Sequence, residues 1–374
     1  MASPSDAKAT SPRSPKNEKT ASPEPASGPA PLLDAEAATA AGILPASHWA
    51  DVPEDDNDDD GASTIGSIAS STASLTSTIF QYREHHGRTY HGDIGNAEGW
   101  EPNDNRHLDS MDIAHHCFTI CTGGKLFLSP LDKKKVQKVV DIGTGTGMWA
   151  IDFADEFPHA EVIGTDITPI QPKWVPPNLK FELDDCNQEW TWPENTFDFI
   201  NMRMLVGVIQ DWYAIFREAY RCCKPGAYVE SMGSSCHFIS DDGSITPDSA
   251  SALAQWGKIW IEGGKAFGRT FDVYSEDVQR KGMEEAGFVD IEFKDMVIPV
   301  GVWHPDKDAA ERGWWWKVTL EADLEGYLNY ICQSLLGWKP EETNAYCAHV
   351  RKEWNDPKNH GYVMARVAWG RKPE

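Results

Sequence analysis

Carboxylates and glycines stand in a spaced series in the middle of this chain. Asp141 closes the run VVD, and Gly143, Gly145 and Gly147 follow two residues apart in DIGTGTGMW. Asp166 ends VIGTD, roughly 20 residues past the glycines, where a carboxylate can take ribose hydroxyls. Asp184 and Asp185 end FELDD, where an acid can accept from an exocyclic amine such as that of adenine. Glycines let a backbone turn sharply and let a ligand approach its N–H groups. The dinucleotide fingerprint is GxGxxG, and here the third glycine comes one residue early. No Lys follows the loop, which disfavours nucleoside triphosphates. An acid before the loop would repel a pyrophosphate and suits a ligand with an ammonium group. The set describes a pocket for a nucleoside with a cationic end.

Those acids share a site only if strands deliver them to one edge. KVQKVVDIG (135–143), AEVIGTDIT (160–168), LKFELDD (179–185), FDFINMR (197–203) and AYVESM (227–232) read as strands. MWAIDFADEFP (148–158), stopped by Pro158, and DWYAIFREAYRCCKPG (211–226) read as helices between them. This alternation implies βαβ units, a parallel sheet and helices on both faces, so the fold class is α/β and Rossmann-like. The acids then fall at the carboxyl edge of the sheet. HLDSMDIAHHCFTICTGGKLFL (107–128) has helical periodicity ended by Gly123 and Gly124. Downstream, 248–286 and 306–355 read as helical, and 288–301 and 362–372 as strands.

The chain has 374 residues and a net charge of −24. No basic stripe offsets the charge, so a direct grip on nucleic acid is not expected. The start is polar, without the apolar core of a signal peptide, and no stretch approaches the ~18 apolar residues of a membrane span. The expected location is cytoplasm or nucleus. Residues 1–78 are rich in Pro, Ser, Ala and acids and read as a disordered tail. At its end, Ile65, Ile68, Leu75 and Ile79 fit either a plain linker, the favoured reading, or a transient helix formed on a protein partner. The expected domain spans 79–374, with helical insertions at about 240–286 and 302–360. The eight cysteines form no CxxC pair, and HHCFTIC (115–121) is too compressed for a usual metal site, so no metal is expected.

The stretches DIGTGTGMWAIDFADEFP, VIGTDITPIQPKWVPPN, FELDDCNQEWTWPENTFDFINMR and CKPGAYVE resemble the class I methyltransferases, specifically the fungal LaeA-like group. The resemblance runs over about 80–374, with YREHHGRTYHG and LDSMDIAHH upstream and EAGFVDI to PVGVW downstream. It implies a seven-stranded, mostly parallel sheet in the order 3-2-1-4-5-7-6 and a transferase that uses S-adenosylmethionine. That cofactor also fits the acid series, and its one carboxylate would rest on the loop N–H groups. Carried onto this chain, the implied cofactor residues are Asp141, Gly143, Thr144, Gly145, Gly147, Asp166, Ile167, Asp185 and Cys186. TPIQP replaces the usual SPIQP, and CKPGAY the usual LKPGGW, neither at a cofactor acid. The best-known relative regulates secondary metabolism, so two roles stand side by side. One is methylation of a small molecule or a protein side chain. The other is a nuclear regulatory subunit that works through partners, with the tail as a contact.

Methyl transfer needs alignment and a suitable field, and a base only where the nucleophile must lose a proton. Candidates on the acceptor side are His116, with its neighbour His115, and Arg203 after the fourth strand. Tyr82, Arg88 and Tyr90 belong either to an N-terminal arm that docks on the domain or to one that closes over the cofactor, and His237 follows the fifth strand. Trp314, Trp315 and Trp316 cannot all face one side of a helix.

Overall fold

The computed structural model of the chain describes residues 33–51, 82–92 and 99–374. A hairpin of β1 (Arg83–His85) and β2 (Arg88–Tyr90) precedes a seven-stranded sheet. The sheet holds β3 (Lys138–Ile142), β4 (Glu161–Asp166), β5 (Leu179–Leu183), β6 (Phe197–Arg203), β7 (Cys223–Ser234), β8 (Val289–Pro299) and β9 (Tyr362–Arg371). The helices are α1 (Ala35–Ala40), α2 (Asn105–Cys121), α3 (Met148–Glu156), α4 (Trp212–Cys222), α5 (Ala252–Phe267), α6 (Val278–Ala286), α7 (Lys307–Ala322), α8 (Leu324–Asn329) and α9 (Pro340–Asn355). A π-helical turn, Tyr330–Leu335, links α8 towards α9.

Across the sheet the order is β5-β4-β3-β6-β7-β9-β8, or 3-2-1-4-5-7-6 when β3 is counted as first. β3 to β7 run parallel, and β9 is antiparallel to both β7 and β8. Neighbouring residues of one strand go to opposite faces, as period 2 requires. Val139, Val162 and Phe199 pack with α3 through Trp149, Phe153 and Phe157. Val140, Ile163 and Ile200 pack on the other face with Ile215 and Phe216 of α4 and Met283 of α6. A third core joins α2, α5 and α7 to α9 as a cap. Asp104, Asp211, Ser251 and Asp306 start α2, α4, α5 and α7 with side-chain caps, which satisfy N–H groups a helix leaves open.

The expected disordered tail over 1–78 is corrected at residues 33–51. Asp34 caps α1, and Ile43 and Trp49 are buried in the cap core. The Trp49 ring meets Tyr346 edge-on at 5.0 Å and His349 at 5.2 Å. Leu33 N donates to Leu335 O at 2.7 Å, and Leu44 N to Gln255 Oε1 at 3.0 Å. Two large apolar side chains reach partners far along the chain, which local composition does not register. The remainder of that tail, with Ile65, Ile68 and Leu75, and the adjacent Ile79 lie outside the described residues.

The hairpin is held by charge. The Arg88 guanidinium spans Asp104, at the start of α2, and Asp323, between α7 and α8, with Nη2 to Asp323 Oδ2 at 2.7 Å. His107 Nδ1 reaches the same Asp323 oxygen at 2.8 Å. Burial pushes the Asp323 carboxyl up, and His107 and Arg88 outweigh it and hold it below its usual range. Arg88 therefore fastens hairpin to cap and does not close over a ligand. No described helix is long and apolar enough to cross a membrane.

Candidate functional site

The carboxyl ends of β3, β4, β5 and β6 open onto a cavity of about 280 Å³ roofed by the cap. Asp141 stands at its floor, buried. Its Oδ2 accepts from Thr144 Oγ1 at 2.6 Å, and its Oδ1 from Asn201 Nδ2 at 2.7 Å. Burial raises its pKa, while these two bonds and the Arg203 charge work against the rise. Asp166 accepts from Gly145 N at 2.8 Å and from Thr168 N at 3.0 Å. Burial lifts its carboxyl to about 6 against those two bonds, with Glu101 and Asp141 adding repulsion. Asp185 accepts from Asn187 N at 3.0 Å and Gln188 Nε2 at 3.2 Å. Cys186 lines the wall beside it, with its thiol pushed well up by burial. Each carboxylate oxygen offers two lone pairs, so all three acids keep capacity for a ligand's donors.

The loop explains its glycines. Gly145 has φ +58°, and a Cβ there would lie 2.5 Å from Met111 Cε of α2. Gly147 has φ +85°, and a Cβ there would lie 2.4 Å from Phe181 Cζ of β5. Gly143, Thr144, Gly145 and Ile167 line the cavity. Gly147 is not among the lining residues and packs against Phe181 at the start of α3.

His116 is corrected as well. It is exposed and packs edge-on against Trp315 at 4.4 Å, off the cavity. One residue earlier, 100° around α2, His115 is buried and lines the cavity. Arg203 Nη2 donates to His115 Nδ1 at 2.8 Å, and His115 Nε2 meets Asp152 Oδ2 at 2.9 Å. Guanidinium cannot accept, so Nδ1 is the lone pair and Nε2 carries the hydrogen. Burial, and then the Arg203 charge, hold His115 down near a pKa of about 4. With both ring nitrogens engaged, His115 orients Arg203 and is not a free base.

Above the floor, Trp100, Phe118, Phe238, Trp260, Phe271 and Trp316 form an aromatic wall. Trp100 Nε1 is satisfied by Val206 O at 3.0 Å, which fixes the indole. Of the three consecutive tryptophans, Trp316 reaches the cavity and Trp314 is 50 % exposed. Tyr90, at the end of β2, is buried and, with Tyr82, is absent from the lining. His237 is off the lining, with Nε2 at 3.4 Å from Asp272 and Cys236 close by. Sequence reasoning missed Trp100 and Glu101. Their signal was GWEPND (99–104), an aromatic, an acid and a proline just before the helix start.

Residues 113–292 match the family described as "Methyltransferase domain". Among curated proteins, "Methyltransferase pytC" of Aspergillus terreus is 36 % identical over 285 residues, 76 % of this chain and 86 % of that protein. "Secondary metabolism regulator LAE1" of Cochliobolus heterostrophus is 31 % identical over 297 residues, 77 % of this chain and 94 % of that protein. "Protein-methionine methyltransferase laeA" of Emericella nidulans is 28 % identical over 295 residues, 78 % of this chain and 77 % of that protein.

Proposed function

We propose, from the premise that this chain belongs to the S-adenosylmethionine-dependent methyltransferase family of pytC and the LaeA-type regulators, that its acceptor is a small, largely apolar molecule of secondary metabolism. S-adenosylmethionine, when bound, supplies a methyl group on a sulfonium carbon. Asp141 at the floor would take its ammonium, Asp166 its ribose hydroxyls, and Asp185 with Cys186 its adenine edge. The donor set fits: three acids for a ligand rich in N–H and O–H donors, and a glycine loop that admits close approach. Apolar rings beside the acids lower the local dielectric, which strengthens each charged contact there.

The observation that supports a small apolar acceptor is that wall. Its aromatic side chains line the same cavity as the three acids. Flat apolar molecules fit such a wall.

A second reading is favoured by the other relatives. Proteins named as secondary metabolism regulator and as protein-methionine methyltransferase share this fold core at 31 % and 28 % identity. In that reading the chain acts in the nucleus on or through a protein partner. One experiment separates the two. Purified chain is incubated with S-adenosylmethionine labelled on the methyl group and with extract of the producing fungus. Label is expected in the organic-extractable fraction. Label confined to precipitated protein would refute the small-molecule acceptor and support the second reading.

A further inference from the structure

Arg203 ends β6 and lines the cavity. Asn201, paired with Asp141 across the β3–β6 ladder, lies two residues before it on the same face of the sheet. Of five N–H donors on the guanidinium, one has a described partner, the neutral ring of His115. The ring of Phe118 lies beneath it at 5.8 Å. No described carboxylate forms an ion pair with it; Asp141 and Asp152 act on it from beyond contact. Burial pushes its pKa down to about 10. A recessed cation without a counter-ion is costly, and the cost falls when an anion arrives.

Asp141, close by, has the opposite sign, yet does not pair with Arg203. It is bonded instead to Thr144 and Asn201. An acid and a base held beside each other and unpaired form a receptor for a zwitterion. The glycine loop, the alternative seat for a ligand carboxylate, is largely committed. Thr144 N donates to Thr165 O at 2.8 Å, Gly147 N to Thr144 O at 3.0 Å, and Gly145 N to Asp166.

We propose that Arg203 binds the α-carboxylate of the cofactor's amino-acid end, opposite Asp141, and that the Asp152–His115 pair aims it. This rests on the methyltransferase reading above and adds the residue that reads the methionine end. Arg203 moves from the acceptor side, where sequence placed it, to the cofactor side. Its planar fork suits a carboxylate, which a lysine ammonium matches less well.

The test measures binding, not turnover. Titration calorimetry of the full chain is run with S-adenosylhomocysteine and with 5′-methylthioadenosine, which shares the nucleoside and lacks the amino-acid end. A third titrant is decarboxylated S-adenosylmethionine, which keeps the ammonium and lacks the carboxylate. Arg203→Met is expected to weaken S-adenosylhomocysteine about tenfold to a hundredfold, and to leave the decarboxylated compound and 5′-methylthioadenosine within about threefold. Arg203→Lys is expected to fall between. Equal weakening of all three ligands, or none, overturns the assignment. Should the Met variant not fold, the wild-type chain decides alone. It must prefer S-adenosylmethionine to its decarboxylated form by more than about tenfold, and no preference overturns the proposal. Failure of the wild-type chain to bind any of these nucleosides would instead strike the methyltransferase reading itself.

Discussion

Asp166→Asn is expected to damage cofactor binding while sparing the fold, because two structural effects oppose each other. The carboxylate accepts from Gly145 N at 2.8 Å and Thr168 N at 3.0 Å. An amide presents one oxygen, so one of these N–H groups loses its acceptor and meets an NH₂ instead. A hydrogen bond to a charged group contributes about 1.5–3 kcal/mol. Against that stands the relief of a buried charge. The Asp166 carboxyl is lifted from 3.8 to about 6, which at 1.4 kcal/mol per tenfold is a folded-state penalty of about 3 kcal/mol. That lift is already net of both N–H bonds, so the relieved charge and the acceptor the amide no longer offers oppose each other, and the expected shift in Tm is under about 4 °C. Nothing offsets the loss towards ligand. Ribose hydroxyls that donate to a carboxylate meet a weaker, half-donor amide, so affinity for S-adenosylhomocysteine falls about tenfold to a hundredfold. Calorimetry and a thermal melt on the same preparation read both numbers. Unchanged affinity would show that Asp166 does not face the ribose. A Tm lowered by more than about 8 °C would show the cancellation argument wrong and Asp166 chiefly a brace for the loop.

Two further outcomes follow from the same contacts. Arg88→Met leaves Asp323, whose side chain is fully buried, with His107 and Arg106 as its remaining partners, and is expected to cost about 3–5 kcal/mol in urea unfolding; a cost under about 1 kcal/mol would show that the network does not secure the hairpin. His115 takes up its proton near pH 4 in the folded chain and near 6.5 when unfolded. Its contribution is therefore present above pH 6.5 and lost as pH falls towards 4, by up to about 3 kcal/mol. His115→Gln should flatten the stability–pH curve in that window, and an unaltered slope would contradict the tautomer assigned to the Arg203 contact.

The sheet and the acid floor were legible because they are local patterns. Val139 and Val140 announce a strand buried on both faces that runs straight into Asp141, and Asp166 and Asp185 stand at the ends of the next two strand-like runs. Strand ends that share one sheet edge bring their acids together without any long-range information. The histidine choice was not legible. His115 and His116 both sit within a helical period, and a 100° turn of α2 decides which faces Arg203. The docked segment 33–51 was hidden for a different reason. Ile43 and Trp49 are isolated apolar residues in polar surroundings, and their partners Tyr346 and His349 are remote in sequence. Gly147 looked like its two neighbours in the motif, and its separate task depends on where Phe181 points.

The docking of Trp49 on Tyr346 sets an order of events during synthesis. Trp49 leaves the ribosome early, but α9, which carries Tyr346 and His349, is among the last helices made. At about 5–20 residues per second, the intervening stretch of about 300 residues keeps that indole waiting for roughly 15–60 seconds. Through that interval Ile43 and Trp49 have no cap core to dock on. The cap over the cavity is therefore completed from both ends of the chain at once, after the parallel strands that carry the acids have already been made.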